Sequence, residues 1–243
     1  MEINFKQILM LEANRNKIGI DDNSLEIFDL YRNEIIKWNK KMNLTRIIDP
    51  LDFARKHVID CLIFHKKLEI GKMRSLIDIG TGPGIPGIIV KIQSPHLVVD
   101  LVESNKKKTA FLRHVVNKFG FDKIEVINNR AEQTAKESKY RQSYDIATAR
   151  AVASLCALSE ICLPFVKIGG IFAALKGEEV DDEVRESEGA IKIMGGEISS
   201  IVGYEISESI KRKIIVVKKV KKTPDGFPRK PGTPKKHPLK WKY

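Results

Sequence analysis

Residues 76–87 read Leu-Ile-Asp-Ile-Gly-Thr-Gly-Pro-Gly-Ile-Pro-Gly, and no other stretch limits the fold of this chain so sharply. The stretch starts in a short apolar run, Ser75 to Ile79, of the length of a buried strand. It turns through Gly80, Gly82 and Gly84, and after Pro86 an apolar segment from Ile88 to Ile92 begins a helix with proline near its first turn. Strand, glycine turn and helix together are a device for holding an adenosine-type cofactor. Glycines let backbone approach the ligand, and a helix N-terminus offers free N–H groups and partial positive charge.

The residues around the turn narrow the ligand. Gly82 to Gly87 matches the dinucleotide pattern G-x-G-x-x-G, which alone is a weak signal. Asp78, two residues before Gly80, is the discriminator. A buried carboxylate repels a pyrophosphate but attracts the cationic amino-acid end of S-adenosylmethionine, directly or through water. The next strand candidate, Leu97 to Glu103, ends in an acid at the distance expected of a ribose-hydroxyl acceptor. No Gly-Lys-Ser/Thr follows the glycines, which excludes a P-loop. A bare Gly/Pro turn without a ligand accounts for none of this order.

Composition adds a partner. The 243 residues carry a formal net charge of +12. Residues 218–243 hold ten Lys/Arg and one Asp, and the tail from Lys221 holds five of the ten prolines. Proline keeps such a tail extended. Lysines and arginines interleaved with Phe227, Trp241 and Tyr243 suit phosphate neutralisation with base stacking, so a nucleic acid is the expected partner. A solubilising or disordered tail is the bland alternative. No apolar run reaches the ~20 residues of a membrane span, and the N-terminus lacks a signal-peptide core. Cys61, Cys156 and Cys162 form no C-x-x-C pair, which fits a reducing cytosol and no metal site. A cytoplasmic monomer without membrane contact is expected.

The rest of the chain alternates. Residues 1–70 read as a helical extension, with Leu25, Phe28, Tyr31, Ile35 and Trp38 on one face and a further helix from Asp52 to Leu68. His57 and Asp60 share a face of that helix, which suggests a local hydrogen bond between them. Residues 71–220 read as the core. A helix capped by Ser104 carries Lys106, Lys107 and Lys108 in its first turn, where they are either ordinary surface or face a phosphate backbone. Strands follow at Ile124–Ile127, Tyr144–Ala149 and Ile171–Leu175, with a helix around Leu155–Phe165 stopped by Gly169-Gly170. An acidic helix and two further strands, Ile198–Tyr204 and Lys213–Val220, precede the tail at 221–243. The expected fold is a doubly wound, mainly parallel, seven-stranded Rossmann-like sheet. Asp78, Gly80, Glu103, Ala131, Glu132, Arg150 and Lys176 all fall at strand C-termini, where such sheets bind ligands.

These strings resemble the bacterial RsmG (GidB) family of ribosomal-RNA methyltransferases. The likeness rests on Leu76–Gly87, Glu103–Lys108, Arg130–Glu132, Ala149–Leu155 and Leu175–Gly177. Trp38-Asn39 with Asn43–Thr45, Arg55–Asp60, and the Arg229-Lys-Pro-Gly tail ending Lys-His-Pro-Leu239 extend it over nearly the whole chain. The resemblance implies methylation of N7 of a guanine in 16S ribosomal RNA, free or within the small subunit, with S-adenosylmethionine as donor. It implies cofactor contacts at Gly80, Ile85, Glu103, Ala131, Glu132 and Arg150, joined on the residue reading by Asp78 and Gly82. It makes Arg150, Lys176 and Arg130 the candidate catalytic residues. The candidate RNA contacts are Lys106, Lys107, Lys108, Arg229, Lys230, Lys235 and Lys236.

The chemistry suits what the sequence lacks. Guanine N7 has a lone pair and no proton, so no general base is needed and positioning dominates. Carbon-5 methylation needs a nucleophilic cysteine, and Cys156 and Cys162 read as core. The fourth strand ends Ala-Thr-Ala-Arg150 rather than Asn/Asp-Pro-Pro-aromatic, which argues against amine methylation. Ribose 2′-O methylation stays open through Lys176 as a base. A nicotinamide-dependent oxidoreductase leaves Asp78 and the tail unexplained, and a non-catalytic RNA-binding protein leaves the glycine loop unexplained. N7 lies in the major groove, deep and narrow in A-form RNA, so the target guanine must lie in a loop or be extruded.

Overall fold

In the computed structural model, residues 4–150 and 153–239 are described. Trp241, Tyr243, and Ala151 and Val152 of the Arg150–Ser154 string lie outside them.

Seven strands form one sheet in the order β3-β2-β1-β4-β5-β7-β6. These are β1 (Ser75–Ile79), β2 (Val98–Val102), β3 (Ile124–Ile127), β4 (Tyr144–Arg150), β5 (Val166–Lys176), β6 (Gly196–Ser207) and β7 (Ile210–Lys219). The first five pair in parallel, while β7 runs antiparallel to both β5 and β6. This is the expected doubly wound, mainly parallel sheet. β1, paired on both sides and buried at every position after Ser75, is an interior strand of the kind such a sheet requires. The order reverses between β1 and β4, and that switch point opens a crevice beyond the strand C-termini.

The helices are α1 (Phe5–Arg15), α2 (Asp22–Asn39), α3 (Pro50–Phe53), α4 (Asp60–Lys67), α5 (Gly87–Gln93), α6 (Lys106–Lys118), α7 (Ala131–Thr134), α8 (Leu155–Cys162), α9 (Asp181–Ile193) and α10 (Thr233–Lys236). Between α3 and α4 the helix widens into a π-helical turn at Ala54–Ile59. Phe28, Tyr31 and Ile35 on α2 share a hydrophobic cluster with Ile88 on α5, Val99 on β2 and Phe111 on α6, so the N-terminal helices cover one sheet face. Tyr144, Leu158, Phe165, Phe172 and Val217 build the cluster on the other.

Two expectations give way. Asn105, not Ser104, caps α6: its Oδ1 accepts from the backbone N–H of Lys107 at 2.9 Å and of Lys108. Gly169-Gly170 does not stop a helix. The helix ends at Cys162, ahead of a short 3-10 turn containing Pro164, and the glycine pair lies inside β5. There the register against β4 slips between Tyr144↔Val166 and Ile146↔Ile171, a bulge that Gly169 accommodates at φ +87°.

Candidate active site

The glycine loop is built around Asp78, fully buried at the end of β1. Its Oδ2 accepts from the Thr81 hydroxyl at 2.6 Å and from the Gly87 N–H at 2.9 Å. A Cβ on Gly87 would lie 2.4 Å from a Leu101 methyl and 3.0 Å from that oxygen, so only glycine lets the carboxylate reach the start of α5. The N–H of Gly87 is therefore taken by Asp78 rather than left free for a ligand. Asp78 Oδ1 is buried with no partner among the described residues. Burial pushes the Asp78 carboxyl up to about 6, against the pull of Thr81, Gly87 and Arg150. The N-terminal helices brace the loop from outside, where the buried Tyr31 hydroxyl donates to the Pro83 carbonyl at 2.6 Å.

A cavity of about 300 Å³ opens at the switch point. Gly80, Glu103, Arg130, Ala131, Glu132 and Arg150 line it, together with Ser104, Asn129, Gly232 and Lys235. Asp78, Gly82 and Ile85, expected to touch the cofactor, are not among the lining residues. Glu103 is oriented by backbone: Oε2 accepts from the Gly82 N–H at 3.1 Å and Oε1 from the Asn105 N–H at 2.8 Å. Each oxygen keeps a lone pair for a hydroxyl donor. The residues fit S-adenosylmethionine: the chamber is of ligand size, an oriented carboxylate ends β2, and an orphaned carboxylate oxygen lies under the loop, suited to a cation or a water.

Arg150, at the end of β4, is held from the N-terminal side. Its Nη1 donates to the Lys56 carbonyl at 2.8 Å and to Asp60 Oδ2 at 3.2 Å, and its Nη2 reaches His57 Nδ1 at 2.9 Å. His57 and Asp60 therefore do not bond to each other; the π-helical turn and the start of α4 aim them both at Arg150. Asp60 Oδ1 accepts from the Tyr204 hydroxyl at 2.6 Å, and His57 Nε2 meets Thr45 Oγ1 at 3.1 Å. Asn39 folds the preceding loop, accepting from the N–H groups of Leu44 and Thr45 and donating to the Thr45 carbonyl. Asn39, Thr45, His57 and Asp60 do not read as one unit in the sequence, because they converge on Arg150 only across 94 residues of chain from Lys56.

A second cavity, about 450 Å³, lies on the other side of Arg150. Its lining includes Lys56, Asp60, Arg150, Lys176 and Arg212. Lys176 Nζ donates to Glu183 Oε1 at 2.7 Å and to the Ala153 carbonyl at 3.0 Å. Arg212, on β7, was missed: in sequence it is one cation in a basic strand, and only the antiparallel pairing of β7 brings it here. Cys61, Cys156 and Cys162 are buried, and burial raises all three thiols above their ordinary range. None is a thiolate nucleophile.

Of the candidate RNA contacts, Lys106, Lys107, Lys230, Lys235 and Lys236 are exposed and Lys108 is half-buried. Arg229 is different. Its guanidinium clamps the fully buried Glu160, with Nε 2.9 Å from Oε1 and Nη2 2.7 Å from Oε2, and Nη2 also donates to the His237 carbonyl. A guanidinium spent this way pins the tail instead of meeting a phosphate. The tail is fastened upstream too, where Arg141 donates to the carbonyls of Thr223, Pro224 and Phe227.

The model of a family described as rRNA small subunit methyltransferase G matches residues 24–215. A Clostridium botulinum (strain Loch Maree / Type A3) protein named ribosomal RNA small subunit methyltransferase G is 42% identical over 237 residues, covering 97% of this chain and 99% of its own. A protein of the same name from Acetivibrio thermocellus is 42% identical over 239 residues, covering 98% of each chain. Among solved structures, a geranyl diphosphate methyltransferase in complex with GPP and sinefungin superposes with a TM-score of 0.55 at 11% identity, covering 82% of this chain and all of that one. A SAM-dependent O-methyltransferase from Thermotoga maritima gives 0.52 at 14% identity, covering 78% of this chain and 73% of that one. These two share the fold.

Proposed function

This chain belongs to the rRNA small subunit methyltransferase G family, and we propose that it transfers a methyl group from S-adenosylmethionine to N7 of a guanine in 16S ribosomal RNA, acting as a cytoplasmic monomer. The observation that carries the reading is the position of Arg150, which lines the two cavities at once. The first suits the donor and the second the acceptor base, so the two reactants meet across one guanidinium.

When bound, S-adenosylmethionine supplies an electrophilic methyl group on a cationic sulfur. The residues of the chain then have to bind, orient and exclude water. Glu103 would accept from the ribose hydroxyls, and residues 131–132 would flank the adenine. Asp78 holds the loop, and its unpartnered oxygen, buried outside the cavity lining, would act on the ammonium end through a bridging water. Lys56, Lys176 and Arg212 surround the acceptor cavity with donors suited to guanine O6 and to phosphate.

The second cavity favours an acceptor with no proton to lose. Asp60 is the carboxylate in its lining and is held by Arg150 and Tyr204, one donor on each oxygen, while Lys176 is held by Glu183 and the Ala153 carbonyl. His57 Nδ1 is taken by Arg150. Such a site aligns reactants rather than relaying protons. Calorimetric titration with S-adenosylmethionine and with NADH tests the donor. Binding of the first alone supports the reading, and binding of NADH alone would falsify it. Incubation with labelled donor and small subunits lacking the modification tests the acceptor, and label is expected in the RNA.

A further inference from the structure

The donor cavity has a wall that the methyltransferase core does not supply. Gly232 and Lys235, from the C-terminal tail, line it beside Glu103 and Glu132. The Gly232 N–H donates to Glu132 Oε1 at 2.9 Å, so the tail also orients a cavity carboxylate. The loop is held at its base by Arg229, whose backbone N–H and guanidinium both bind the buried Glu160 on α8. Arg229 also ties the loop's far end through the His237 carbonyl at 2.7 Å. Lys230 and Lys236, on the same few residues, are exposed.

We propose that residues 229–237 form the outer wall of the donor cavity, closing over the nucleoside end of S-adenosylmethionine while Lys230 and Lys236 meet the RNA backbone. The inference rests on the donor reading given above. One loop then touches both substrates: the donor from inside through Gly232, Lys235 and the oriented Glu132, the RNA from outside. Donor exit requires the loop to lift from Glu132. RNA held on the outward lysines resists that lifting, so bound RNA and bound donor stabilise each other, by equal factors in both directions.

Limited trypsin digestion of the intact chain tests this. The Lys235–Lys236 and Lys236–His237 bonds lie in the loop and start from exposed lysines. With calorimetry confirming saturation by S-adenosylhomocysteine, cleavage at these bonds is expected to slow by about tenfold or more, since it tracks the open population. Unchanged cleavage in the saturated protein overturns the wall. Failure of the compound to bind at all overturns the donor reading, and the wall with it. As a second measurement, the neutral pair Glu160→Gln with Arg229→Gln loosens the base of the loop without stranding a buried charge. In the folded double variant the Kd for S-adenosylhomocysteine is expected to rise about tenfold, and an unchanged Kd contradicts the proposal.

Discussion

His57 Nδ1 lies 2.9 Å from Arg150 Nη2, and the contact fixes the state of the imidazole. A guanidinium only donates, so toward Arg150 Nδ1 is the acceptor, although it also lies 3.2 Å from the Lys56 carbonyl; the shorter Arg150 contact places the ring proton on Nε2, facing Thr45 Oγ1. Burial and the neighbouring Arg150 charge push the His57 pKa down to about 3, so the ring stays neutral at physiological pH. A histidine so placed orients Arg150 and takes no proton in the reaction.

Replacing His57 with Gln keeps an acceptor for Arg150, whereas His57→Leu removes it. Methyl transfer to small subunits is expected to fall by about tenfold or more in the Leu variant, and to be largely retained in the Gln variant. Arg150→Lys keeps the charge but loses the fork that spans Lys56, His57 and Asp60, and is expected to lose at least as much. Equal activity of the Leu variant and the parent removes the positioning role.

Asp78 predicts a pH dependence of donor binding. Its carboxyl, raised to about 6 by burial, is neutral below that pH and charged above it. An ammonium prefers the charged form, so affinity for S-adenosylmethionine weakens as pH falls through about 6. Calorimetry across that range reads the step. Asp78→Asn is expected to abolish the step and lower affinity by about tenfold. A flat profile in the parent sinks the assignment.

The two cavities predict separable defects. Arg212→Ala is expected to lower turnover on subunits while leaving the donor Kd unchanged. Neutralising Lys106 or Lys107 is expected to weaken RNA binding and reduce its salt slope by about one per residue. A donor-binding defect in Arg212→Ala would place that residue elsewhere.

Lys219, fully buried on β7 with its ammonium on the Met194 carbonyl at 2.7 Å, is pushed down to about 7 by burial, with the Arg141 charge adding to it. Below pH 7 it is protonated in both folded and unfolded chains, and its buried charge costs stability. As pH rises above about 7 the folded chain sheds the proton first, so stability increases toward the ordinary lysine range near 10. Denaturant titrations at neutral and alkaline pH are expected to show this rise in the parent and less of it in Lys219→Met. A rise of the same size in both removes Lys219 as its cause.

The sheet and the donor loop were legible because their signals are local. Ser75–Ile79, the glycines and Glu103 lie within about two elements of chain, and strand-helix alternation sets the topology. Other features depend on what the chain meets far away. Asn39, Thr45, His57, Asp60 and Tyr204 become one assembly only when α2, the π-helical turn and β6 converge on Arg150. Arg229 reads as a phosphate contact until Glu160, 69 residues earlier, is placed beside it. The α6 cap moved by one residue because Ser104 and Asn105 are both competent caps, and a sequence pattern does not choose between neighbours.

The most direct test of the central claim is the identity of the methylated nucleoside. Small subunits from cells lacking this activity are incubated with the protein and labelled S-adenosylmethionine, and the RNA is digested to nucleosides. The account predicts label in 7-methylguanosine, lost with Arg150→Lys. Label in a 2′-O-methylated or carbon-methylated nucleoside would contradict it, because the second cavity then performs proton or nucleophile chemistry that its residues are not arranged to do.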